Sequence, residues 1–231
     1  MLQSISKYKL YLYFFFLIFL SSIFNFQILD TYQDKFRLKN ININGLPYNE
    51  KKNIQIELNK LKNINIFYLK KDKVLEKLTN FNFLEKIYVN KVIPSSININ
   101  ISKTSILGKT IIKGKKFYIG KNGNFINPNL LSEENNLPSV YGEFQIDEYL
   151  SLIKKLKKHH IDIGNIKGYY YYKNKRWDLL FSNNTTLKLP SKKDEESIKI
   201  YKKLLNNNDL INVKSIDLRV SNQIILTNNN D

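Results

Sequence analysis

The chain has 231 residues, 42% of them hydrophobic, and a formal net charge of +17. That apolar content is too high for a disordered chain, and the length allows one large domain or two small ones with real cores. Cysteine is absent, which excludes disulfides, Cys-ligated zinc and thiol nucleophiles.

The net charge invites a nucleic-acid reading, but composition argues against it. Arginine, suited to bidentate phosphate and guanine contacts, occurs only at Arg37, Arg176 and Arg219. Lys, Asn and Ile recur in every kind of segment, so the charge reads as a compositional bias.

Residues 10–29 (LYLYFFFLIFLSSIFNFQIL) carry no charge, Pro or Gly and lie between Lys9 and Asp30. Twenty helical residues rise about 30 Å, the thickness of a bilayer core. The run is longer than the apolar region of a signal peptide, and no small-residue cleavage site follows it. It predicts an uncleaved membrane-spanning helix. Lys7 and Lys9 precede it without an acid, whereas Asp30 and Asp34 follow it. The short tail, residues 1–9, is therefore expected in the cytoplasm and the remainder outside.

Phe36 to Ile43 alternates apolar and polar residues, as a half-buried strand does. Gly45 and Pro47 end it. A helix is expected from Asn49 to about Leu61, with Ile54, Leu58 and Leu61 on one stripe, and a second from about Lys70 to Leu78, with Val74, Leu75 and Leu78 inward. Phe83–Val92 and Ile97–Ile101 alternate again, split by Pro94. Strand, two helices and two strands make a small α+β unit with the helices on one face of the sheet.

Farther on, Phe117 to Gly123 reads as a strand entering a turn. Ile146, Tyr149, Leu150, Ile153 and Leu156 mark a helix from about Asp147 to His159. Strands are expected at 166–172, 176–181 and 185–189. Ser191 and Asp194 suggest a capping box opening a helix with Ile198, Tyr201 and Leu205 inward. The last strands cover 216–220 and 223–227.

These segments together resemble the FtsQ/DivIB family of bacterial cell-division proteins. The resemblance is carried by Asn42–Gly45, Ile66-Phe67, Phe83–Val89, Pro94, Phe117–Gly123, Leu137–Gly142, Arg176–Leu179, Leu187–Pro190 and Ile216–Arg219. Two places depart from the family pattern: Gly120 stands where an Asp is usual, and Ser102–Ser105 where a Glu and a Pro are common.

The resemblance implies a single-pass anchor, a β-α-α-β-β POTRA domain over 36–103 and a larger, mainly antiparallel β domain with flanking helices over 104–227. It further implies a non-enzymatic protein of the inner membrane at the division septum, with periplasmic C-terminal domains and no cofactor. The POTRA domain would recruit other division proteins, and the β domain would bind FtsB- and FtsL-like single-pass partners.

Alternation places Asp217 and Arg219 opposite Ile216, Leu218 and Val220. By itself that suggests a strand charge paired with a neighbour. The resemblance implies more: a partner strand adds at the C-terminal edge while a partner carboxylate meets Arg219, with Arg176 a second contact. Val220, Ser221, Asn222, Gln223 and Ile224 would then supply the edge.

Other residues suggest less. Adjacent His159 and His160 cannot both face one metal from one helix face. Tyr169–Tyr172 reads as one core and one surface face of a strand, and Trp177 as core. No sequence motif marks a catalytic site. Two rivals remain: a POTRA module of protein export or outer-membrane assembly, and an anchored envelope enzyme with a pocket of convergent titratable groups.

Overall fold

The computed structural model describes residues 6–23, 34–132, 136–206 and 213–228. Its first helix, α1 (Lys7–Ile23), has 17 residues, and its side chains from Tyr8 to Leu20 are exposed. No helix among the described residues is long and apolar enough to cross a membrane. Residues 24–29 of the expected span lie outside the described residues.

The chain divides into two compact units. The first is Met1–Gly45, Lys52–Asn80 and Ile87–Ile101; the second is Leu46–Lys51, Phe81–Lys86 and Ser102–Asp231. The smaller sheet contains β1 (Asn40–Asn44), β2 (Leu84–Val92) and β3 (Ser96–Lys103), in the order β1-β3-β2. Helices α2 (Tyr48–Asn59) and α3 (Lys71–Leu78) follow the predicted positions. Their stripe residues Ile54, Leu58, Val74 and Leu78 are buried, as are Ile41, Ile43, Ile97 and Ile99 of the strands. Leu75 is only half-buried.

The first strand begins at Asn40 instead of Phe36. Before it, Leu38 donates its N–H to Ile64 O at 2.9 Å, and Arg37 makes an isolated bridge with Asn65. β1 and β3 are parallel and in register, so their polar faces match: Asn42 Nδ2 donates to Asn98 Oδ1 at 2.9 Å, and Asn44 Nδ2 to Asn100 Oδ1 at 3.2 Å. Gly45 is required after β1, because at φ 91° a Cβ would lie 2.1 Å from Ile101 O.

The second unit is built on a nine-stranded sheet in the order β12-β11-β10-β9-β8-β7-β4-β5-β6. Its strands are β4 (Ile106–Ile112), β5 (Lys115–Gly120), β6 (Phe125–Ile126), β7 (Ser139–Tyr141), β8 (Ile166–Tyr171), β9 (Trp177–Phe181), β10 (Thr186–Lys188), β11 (Val213–Asp217) and β12 (Ile225–Asn228). Among the described residues, five of its eight neighbouring pairs are antiparallel and three are parallel: β4 with β7, β7 with β8 and β10 with β11.

Parallel neighbours need a crossover connection. Helix α4 (Ile146–Lys158) bridges β7 to β8, and α5 (Asp194–Asn206) bridges β10 to β11. The helices lie side by side, with Lys155 Nζ 2.7 Å from Asp194 Oδ2 and Lys158 Nζ 2.6 Å from Glu195 Oε1. Both pack on one face of the sheet. Tyr149, Leu152, Ile153 and Leu156 of α4 and Ile198 and Tyr201 of α5 share a core with Val140, Tyr169, Leu179, Leu187 and Ile216. Trp177 belongs to that core, as predicted, with its ring centroid 4.7 Å from that of Tyr171. The helical phase differs slightly from expectation: Leu152, not Leu150, is fully buried, and Leu204 packs where Leu205 was expected.

Candidate partner interface

Helices α4 and α5 cover one face of the large sheet; on the other, Tyr118 and Ile126 are buried at the β5–β6 end, while Ile111 and Tyr141 are exposed. Along this second face, residues from three strands stand in register. Asp178 of β9 is opposite Lys188 of β10, which is opposite Asp217 of β11. Directly opposed residues share a face, so the three form a lateral row of alternating charge.

Each end of this row carries an arginine. Arg219 folds back on Asp217: its Nε donates to Asp217 Oδ1 at 2.8 Å and Oδ2 at 2.9 Å, its Nη2 donates to Oδ2, and its backbone N–H donates to Oδ1 at 3.0 Å. Asp217 is only 9% exposed. The Arg219 hydrogen bonds hold its carboxyl below the usual range against the opposing effect of burial.

At the other end, the Arg176 guanidinium lies 4.3 Å from the Tyr172 ring centroid, and its Nε is 3.6 Å from Asp178 Oδ1. Asp178 is 4% exposed. Burial pushes its carboxyl up, opposed by Arg176, a hydrogen bond from Tyr172, Arg219 and Lys188. Arg176 Nε and Asp178 Oδ1 are buried with no hydrogen-bond partner among the described residues. The two arginines singled out from the sequence, 43 positions apart in the chain, thus pair with the two carboxylates at the ends of one row, Arg176 with Asp178 and Arg219 with Asp217.

The predicted edge residues occupy a different position. β11 ends at Asp217, and Val220 to Gln223 form a turn in which the Gln223 N–H donates to Val220 O at 3.3 Å and Asn222 has φ 62°. The expected strand through Val220 is interrupted because Arg219 turns back to reach Asp217. Val220, Ser221, Asn222 and Gln223 are therefore not the edge strand, and Ile224 only leads into it. The edge is β12, which begins at Ile225 and pairs antiparallel with β11 through Asp217–Ile225 and Ile216–Leu226.

Beyond β12 the sheet has no further neighbour among the described residues. Ile225 is 47% exposed and Leu226 41% exposed, on opposite faces of the strand. Arg219 and the turn line a cleft of about 290 Å³ with Ile200 and Glu196 of α5. β12 was partly legible as the expected strand 223–227. The Asp178–Lys188–Asp217 row was not, because only the strand order brings it together.

The described residues offer little for other chemistry. No group of three His, Cys, Asp or Glu side chains could hold a metal ion among them. His159 Nε2 lies 3.3 Å from Glu195 Oε1, and His160 leaves the helix at φ 55°. Tyr169 is buried in the core.

A small unit of three strands and two helices, together with a nine-stranded sheet whose helices α4 and α5 pack on one face, defines a two-module α+β protein. Residues 36–103 match the POTRA domain, FtsQ-type, and residues 111–219 match the C-terminal region of cell division protein FtsQ/DivIB. The chain belongs to the FtsQ/DivIB family of cell-division proteins.

It is similar to the cell division protein FtsQ of Rickettsia bellii, with 29% identity over 190 residues, covering 81% of this chain and 71% of that protein. The FtsQ of Rickettsia typhi is 28% identical over the same coverage. The major extracytoplasmic domain of DivIB from Geobacillus stearothermophilus aligns with 47% of this chain and 96% of that chain, at 11% identity and a TM-score of 0.33.

Proposed function

We propose that the chain is a non-enzymatic, single-pass division protein that holds its partners by strand addition at β12. The apolar run 10–29 anchors it in the inner membrane, with the amino-terminal tail in the cytoplasm and both units outside, at the septum. The POTRA unit recruits other division proteins. The β domain receives an FtsB–FtsL type pair, linking early and late division proteins.

The observation carrying this reading is the uncovered β12 edge beside Arg219. An edge strand presents N–H and C=O groups that an incoming strand satisfies, and its exposed apolar side chains gain cover on both faces. The guanidinium, 37% exposed at its side chain while bound to Asp217, remains open to a partner carboxylate, which would fix the register of the added strand.

The test is binding of the full chain, in detergent micelles, to the extracytoplasmic segment of its own FtsB-like protein. Arg219→Glu should weaken binding about tenfold or more, and more at low salt than at high salt. Adjacent strand residues direct their N–H groups to opposite sides, so of Ile225 and Leu226 only one donates outward; a proline there should abolish binding, whereas a proline at the other removes a bond to β11 instead. A folded wild-type chain that binds no such segment would remove the mechanism and favour an export or assembly module.

A further inference from the structure

We propose that the β4–β5 hairpin and the uncovered sheet face beside it dock on an anionic lipid surface. The hairpin turns at Lys113 and Gly114, with φ 49° and 76°. Positive φ at both central positions is the geometry of a tight two-residue turn, and Gly114 adopts it without strain.

Register puts Ile111 opposite Lys116 and Lys109 opposite both Tyr118 and Ser139, while Tyr141 is opposite Tyr170. Lys109, Ile111, Lys116, Tyr141 and Tyr170 therefore share the face away from the helices. Ile111 is 70% exposed and Tyr141 48% exposed. A shallow cleft of about 200 Å³ lies among Lys109, Ile111, Lys116 and Tyr141.

The charge of the hairpin is of one sign. Lys109, Lys113, Lys115 and Lys116 fall within eight residues, and no acid occurs from Thr104 through Ser132. Among the described residues, none of the four lysines is paired with a carboxylate. Lysine and tyrosine combine an apolar body with a polar tip suited to the headgroup layer, and an exposed isoleucine between them can enter the acyl boundary.

The same ingredients could stack nucleic-acid bases, but the tyrosine rings already stack on each other, with centroids 4.9 Å apart and planes at 17°. Each ring therefore has only its outer face to offer a base.

Because the chain has no cysteine, Ile111→Cys in the full chain can carry a single polarity-sensitive dye, with Ser221→Cys as the comparison position. Each chain is reconstituted into bilayers of phosphatidylcholine alone or with phosphatidylglycerol, containing bromine-labelled acyl chains. The dye at 111 should shift to the blue and be quenched only with phosphatidylglycerol, whereas the dye at 221 should not. High salt should reverse the effect.

Each lysine at an anionic surface contributes a factor of roughly five, so reversing Lys113, Lys115 and Lys116 to Glu should lower the docked fraction by about 100-fold or more. Identical emission in both lipids, or quenching that survives high salt, overturns the proposal. Shielding of the dye by single-stranded DNA but not by lipid also overturns it and makes this a nucleic-acid face.

Discussion

The two ends of the nine-stranded sheet are built differently. At one end, β6 has only two residues: Ile126 is fully buried, and the Phe125 ring lies 6.4 and 6.1 Å from those of Phe117 and Phe144. At the other, β12 has four residues, and Ile225 and Leu226 are exposed on opposite faces. The first edge is kept short and is capped by Asn82, whose Nδ2 donates to Phe125 O at 2.8 Å, a common kind of protection against unwanted pairing. The second is longer, apolar on both faces and bordered by an arginine, so another chain can complete it.

The largest test of this difference is to place one charge at each end. Ile126→Asp should destabilise the fold by about 4 kcal/mol or more, because it buries a carboxylate without a partner. Ile225→Asp should change stability by less than about 1 kcal/mol, as exposed positions do. Thermal unfolding followed by circular dichroism distinguishes the two, and equal effects would mean that the ends do not differ in burial.

The charged row sharpens the comparison through pH. Asp217 has a lowered carboxyl pKa because Arg219 favours its ionised form. Its contribution is present above the unfolded-state pKa and lost as pH falls through the folded one. Asp217→Asn should therefore cost about 1–2 kcal/mol at pH 7 and less near pH 3.

Asp178 behaves oppositely. Burial raises its pKa, so the native state favours the protonated form and loses stability as pH rises through the carboxylate range. Asp178→Asn should therefore cost more near pH 3 than at pH 7. Denaturant titrations at the two pH values would show opposite slopes for the two variants; parallel slopes would contradict the environments described for the row.

A smaller effect is expected at Arg219 itself. Arg219→Ala should lower partner affinity about tenfold while costing the fold only about 1 kcal/mol, because the pair with Asp217 is partly open to solvent. Binding titration and thermal unfolding on one preparation separate these effects. The smallest effect is at the turn: Asn222→Gly should change stability by less than about 0.5 kcal/mol, since glycine adopts positive φ readily.

The helices were legible in the sequence because burial imposes a 3.6-residue period on them. Val74 and Leu78 of α3, and Tyr149, Ile153 and Leu156 of α4, are buried where that period places them. β4 was not legible. Its sequence ILGKTII has no clean alternation, since Ile111 is exposed while Thr110 is buried and donates its hydroxyl to Val140 O at 2.8 Å.

The site was legible in part. Arg219 and Arg176 could be singled out, but the row that joins their carboxylates could not, because Asp217 reaches Lys188 and Asp178 only through the α5 crossover that lays β11 beside β10. The edge was placed a few residues early for a related reason: the folding back of Arg219 onto Asp217 inserts a turn that local alternation does not reveal.

The most direct measurement on the β12 edge is amide hydrogen exchange across residues 213–228 of the full chain, in detergent, with and without the FtsB-like segment. Strand addition predicts that the outward-facing amides among Ile225, Leu226 and Thr227 slow markedly on binding, while those of β6 do not change. Binding that leaves β12 exchange unaltered, or that protects β6 instead, would contradict it.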